Sequence, residues 1–153
     1  MIAGVPIAGV LAGLSALFAS LVLRVAFGVP LPIDLVSDRL LPFVPVEAFV
    51  PSLGVVGGPV LAKQLAFYSS FLVLIGLGVS ASRGYGRLSR RRLPLLAAAA
   101  VVAWVVAVAA LWPTLASNYD GAPPGEARIL SAAALAVIVA LFAVVLDLAR
   151  RYR

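Results

Sequence analysis

Four uncharged apolar runs, each near twenty residues long, constrain this chain more than any other feature. They cover residues 2–23, 64–82, 93–112 and 129–146, closed in turn by Arg24, Arg83, Pro113 and Asp147. At about 1.5 Å per residue, twenty helical residues cross a hydrocarbon core of about 30 Å. A chain of 153 residues with 63% hydrophobic and 12% charged residues cannot cover four such runs with polar surface. The sequence therefore predicts an all-α membrane protein with a single transmembrane domain over residues 1–153. Its four transmembrane helices, packed in a bundle, are expected near residues 5–27, 56–82, 93–112 and 129–149.

The first run is not a cleaved secretory signal in this reading. Its basic residue, Arg24, follows the apolar stretch instead of preceding it, and the stretch is too long. Gly9 and Gly13 form a Gly-x-x-x-Gly pair, and Ala12, Ala16 and Ser20 repeat at the same interval. Small residues four apart let a second helix approach closely in lipid. Gly54 and Gly58, at the entrance to the second run, have the same spacing and are expected to pack in the same way.

Residues 29–52 form a Pro-rich outer linker, broken by Pro30, Pro32, Pro42, Pro45 and Pro51. A short helix over residues 33–41 places Val36 and Leu40 on one face and Asp34 and Asp38 on another. It is too short to span and is expected to lie in the membrane interface. Residues 113–128 form a second outer loop, with turn signals at Pro113, Asn118, Asp120, Gly121, Pro123 and Pro124.

Charge fixes the expected orientation. Arg83, Arg87, Arg90, Arg91 and Arg92 fall in the loop at 83–92, and Arg150, Arg151 and Arg153 close the sequence. Arg24, Arg39, Lys63 and Arg128 lie at the opposite ends of the runs, with five of the six acids. The excess of Lys and Arg marks the cytoplasmic side, so both termini are expected inside. The clusters flank apolar runs, which argues for topology over nucleic-acid binding as the origin of the +6 net charge.

No Cys and no His occurs, and Met1 is the only methionine. This removes disulfides, Cys- and His-based metal sites and thiolate- or histidine-held haem from the chain itself. No phosphate-binding glycine loop is present, and the nucleophile–base pairs that need His or Cys are missing. Two constellations remain. Arg24, Asp34, Asp38, Arg39, Glu47 and Lys63 could meet at the outer end, either as a pocket or docking face or as interfacial ion pairs. Asp147, near the end of the fourth run, lies within one turn of Arg150 and Arg151, which local pairing explains.

The stretch Val29-Pro-Leu-Pro-Ile-Asp-Leu-Val-Ser-Asp-Arg-Leu-Leu-Pro-Phe-Val-Pro-Val-Glu-Ala-Phe49, following an Arg-ended helix, resembles the amino-terminal membrane region of bacterial molybdopterin-dependent oxidoreductases of the sulfite-oxidase type. The Gly-rich entry Gly54-Val-Val-Gly-Gly58 fits the same pattern. The resemblance implies a membrane anchor in a bacterial cytoplasmic membrane, followed by a fifth hydrophobic helix that carries a soluble catalytic domain to the outer face. It implies molybdopterin for the longer protein and no cofactor in this chain. Implied partners are the bilayer, a downstream catalytic domain and a membrane redox partner. The alternative is a free-standing small membrane protein, either a transporter or channel subunit or an assembly subunit.

Overall fold

The computed structural model describes residues 4–85 and 92–151, and among them all regular structure is helical. Six α-helices follow one another: α1 (Gly4–Phe27), α2 (Pro32–Leu40), α3 (Val46–Val56), α4 (Pro59–Tyr85), α5 (Arg92–Leu111) and α6 (Pro124–Arg151). Short 3₁₀ turns at Leu41–Phe43 and Thr114–Ala116 extend α2 and the α5–α6 loop. Four helices (α1, α4, α5 and α6) are long and apolar enough to cross a membrane. Arg87, Arg90 and Arg91 lie outside the described residues.

Helix α1 is the centre of the bundle because it is narrow on two sides. On one side Gly9 and Gly13 admit the backbone of α4. A Cβ on Gly9 would run into the carbonyl of Gly78, and one on Gly13 would lie 2.8 Å from the Leu74 carbonyl oxygen and 3.0 Å from the Ile75 Cα. Gly78 is equally necessary, since its own Cβ would meet the Gly9 carbonyl. Pairing of Gly9 with Gly78 and of Gly13 with Leu74 sets the two helices antiparallel. On the other side the buried column Ala8, Ala12, Ala16 and Ala19 faces α6, meeting Leu146 near one end and Ile138 further along.

Water-driven burial does not hold helices together in lipid, so close van der Waals approach of this kind carries more of the association. The outward faces are correspondingly apolar: Phe18, Val25, Leu72 and Val102 are among the exposed side chains. Helix α5 leans mainly on α6, and no residue of its apolar window is buried. Its indole at Trp104 donates to the Ala132 carbonyl of α6 at 2.8 Å, which ties the two helices near mid-length.

Helix α2 leaves Val36 and Leu40 exposed and buries Leu35. Leu35 sits among Leu111, Leu115 and Leu135, with Trp104 and Val108 beside them, so α2 is pinned to the ends of α5 and α6. A helix also forms at Val46–Val56 inside the expected linker, despite Pro51 in its interior. It ends before α4 begins, so the second long helix starts at Pro59 and not near residue 56.

The stop is local chemistry. Gly57 takes φ +92°, its N–H donates to the Gly54 carbonyl at 3.2 Å, and the Gly58 N–H donates to the Leu53 carbonyl at 2.7 Å. This is the paired-bond closure of a helix end by a left-handed glycine, and Pro59 then opens α4 with its φ already set. Gly54 and Gly58 have nothing within 4 Å of an added Cβ. Gly58 lies beyond the end of α3, so the two do not share one helix face, and neither meets a second helix among the described residues. Helix α6 also begins earlier than residue 129, at Pro124, with Glu126 in its first turn where it complements the helix dipole.

Candidate site at the capped end of the bundle

The last turn of α1 delivers Arg24 to the end of the bundle opposite Arg83 and Arg150. Gly28 then turns the chain sharply with φ +61°. Leu31 starts the next element, and Pro32 makes it helical. Asp34, three residues into the turn, folds back so that its Oδ2 accepts from the Leu31 N–H at 3.3 Å. The same oxygen accepts from Arg24 Nη1 in an ion pair and from the Tyr119 hydroxyl at 3.3 Å. One carboxylate oxygen thus gathers α1, the α2 start and the α5–α6 loop.

Tyr119 was not singled out by the sequence, and its position explains the loop's order. Its ring lies under the Arg24 guanidinium, 4.4 Å from the centroid. Its N–H donates to the Gly28 carbonyl at 2.8 Å. Asn118 Nδ2 donates to the Phe27 carbonyl at 2.9 Å, while its Oδ1 accepts from the Asp120 N–H at 2.8 Å. Gly28 is needed twice here, for its positive φ and because a Cβ would stand 2.7 Å from the Asp120 nitrogen. Partial burial and then the neighbouring Asp34 charge push the Tyr119 hydroxyl above its ordinary value of 10. It is therefore a neutral donor to Asp34 at any physiological pH.

The structure divides the six expected cluster residues. Arg24, Asp34, Asp38 and Lys63 line one cavity of about 920 Å³ between α1, α2, α3 and the start of α4, together with Ser37 and Tyr119. Apolar walls from Leu21, Leu53 and Phe67 complete it. Arg39 points elsewhere: its Nε donates to the Ala110 carbonyl at 3.2 Å, closing the end of α5. Glu47 lies in the first turn of α3 and is not part of the cavity lining. Arg128 stacks over Trp112 at 5.6 Å, on the α5–α6 side of the same end.

The opposite end carries the arginines. Arg150 donates through Nε to the Ser82 hydroxyl at 3.2 Å and through Nη2 to the Ser82 carbonyl, a cation at the end of α4. Arg151 pairs with Asp147 at 2.6 Å, one turn apart on α6. Arg83 lies in the last turn of α4, and Arg92 opens α5. Among the described residues no group of three His, Cys, Asp or Glu side chains could hold a metal ion. The sequence has no cysteine, the residue that the resembled catalytic domains commonly use to bind molybdenum.

Comparison of the chain with protein-family models, with curated proteins and with solved structures finds no match.

Proposed function

We propose that this chain is a multi-pass module of a bacterial cytoplasmic membrane, with both termini inside, that anchors a molybdopterin-dependent oxidoreductase and presents a docking face for it outside. The observation that carries the anchoring role is the construction of the outer end. Helices α2 and α3 and residues 112–123 cover the bundle there as an ordered cap, held by the Arg24–Asp34–Tyr119 junction. An ordered surface at the membrane face, with Leu40, Phe43 and Val46 exposed on it, gives a docked domain something to pack against, whereas the arginine-rich end fits the positively charged cytoplasmic side. The link to molybdenum enzymes rests on the resemblance of residues 29–49.

In this role the chain performs no chemistry of its own. It fixes the position of a catalytic domain relative to the bilayer and to electron carriers in it. A conducting pore has less support. The cavity is lined only by residues from the outer end and receives none from the half of the bundle that holds Ser82 and Arg150. Asp147 is paired with Arg151 and is no part of the cavity lining.

The test is metal content. The protein is tagged at its own gene, purified from the membranes of its own host and analysed for molybdenum by mass spectrometry. Molybdenum stoichiometric with the chain is the expected result. Molybdenum at the background of an untagged strain removes the oxidoreductase assignment and leaves only a membrane module.

A further inference from the structure

The outer cavity carries a charge arrangement that its structural role does not explain. Arg24 and Asp34 are committed to each other and to Tyr119. Lys63 and Asp38 line the same space, and among the described residues neither is in an ion pair. An ammonium and a carboxylate that face one cavity without neutralising each other leave both signs open to a ligand. Much of the remaining wall is apolar, with Leu21, Leu53 and Phe67 deeper between the helices.

Depth selects among ligands. Lys63 lies in the second turn of α4 and Arg24 in the last turn of α1, so the charges sit where those helices leave the hydrocarbon. Lysine at such a position reaches the headgroup layer by extending its stem. A molecule matching this site has an anionic and a cationic group close together on an apolar body. A headgroup with phosphate alone would leave Asp38 facing like charge, and a neutral head would match neither of the two exposed ions.

We infer that the outer cavity holds an aminophospholipid, with its phosphate on Lys63, its ammonium on Asp38 and an acyl chain along Leu21, Leu53 and Phe67. Such a lipid would fill the space between the cap and the bundle. It would make the docking face a composite of protein and lipid.

The inference rests on the proposed membrane residence, and the two are tested apart. The full chain, purified in a mild detergent, is offered equal amounts of phosphatidylethanolamine and phosphatidylglycerol, and the retained lipid is read by native mass spectrometry. A charge-assisted hydrogen bond to the ammonium gives an expected preference of about tenfold for the amine lipid. Asp38→Asn should erase that preference, and Lys63→Met should weaken retention of both lipids. Equal retention by the unaltered protein overturns the inference whatever the variants do. A preference that survives both substitutions overturns it too, as does displacement of both lipids by a long-chain quinone. Release of the chain from membranes by alkaline carbonate would instead refute the membrane reading itself.

Discussion

Gly78→Leu is expected to cost the folded bundle about 3 kcal/mol or more, the upper range for overpacking a close contact. The reason is the absence of room for any side chain. Gly78 and Gly9 meet backbone to backbone, and a Cβ on either would strike the other's carbonyl. A flexible side chain could yield; a main-chain carbonyl in mid-helix cannot move without separating α1 from α4. Because α1 also carries the alanine column that meets α6, separation there loosens both long-helix pairs that α1 makes. Unfolding in mixed detergent micelles, followed by tryptophan fluorescence, measures the loss. Gly54→Ala serves as the control: it has open space around it, and an alanine in a helix should be neutral or stabilising by about 0.5–1 kcal/mol. Equal losses from the two substitutions would contradict the packing described.

Gly28→Val should have the second largest effect, confined to the outer cap. Positive φ costs a non-glycine residue about 1–2 kcal/mol, and more for a β-branched one. The added Cβ also stands against Asp120, whose Cγ is 2.6 Å away. Relief requires residues 118–120 to lift, which breaks the Tyr119 N–H to Gly28 bond and the Asn118 bond to Phe27. The expected result is a nearly unchanged helical circular dichroism spectrum with much faster proteolysis between residues 112 and 123. Unaltered proteolysis would show that the cap does not depend on this turn.

The four long helices were legible because length and lack of charge are properties of contiguous sequence. So was the short helix after the first span, through Pro32 and the alternation that follows. Its orientation was not, because Leu35 becomes the buried residue only when Leu111, Leu115 and Leu135 are brought beside it from far along the chain. The break at Gly57-Gly58-Pro59 was readable in principle, since a left-handed glycine followed by proline ends one helix and starts another. The spacing of Gly54 and Gly58 drew attention to packing instead. Spacing shows that a helix face is smooth, not that a partner covers it. Gly9 acquires meaning from Gly78, sixty-nine positions away.

At the site, the sequence suggested the outer group of charges but not its internal order. Arg24 and Asp34 pair through a turn of ten residues, a short reach that proximity along the chain already favours. Tyr119 joins them across eighty-five residues, and nothing in its neighbourhood distinguishes it from any other turn tyrosine. Arg39 looked equivalent to Arg24 and instead closes α5, because the rotation of α2 set by Leu35 turns it that way.

Four helices that cross a bilayer with the capped end outside would put residues 89 and 117 on opposite faces of the membrane. Residues 1–153 contain no cysteine, so a thiol introduced there and expressed as that segment alone is labelled without a competing thiol. Ser117→Cys, in the outer cap, and Ser89→Cys, in the arginine-rich loop, are each treated with a membrane-impermeant maleimide on intact spheroplasts and again after lysis. Labelling of position 117 is expected in intact cells, and of position 89 only after lysis. Labelling of position 89 in intact cells, with position 117 protected until lysis, would contradict it.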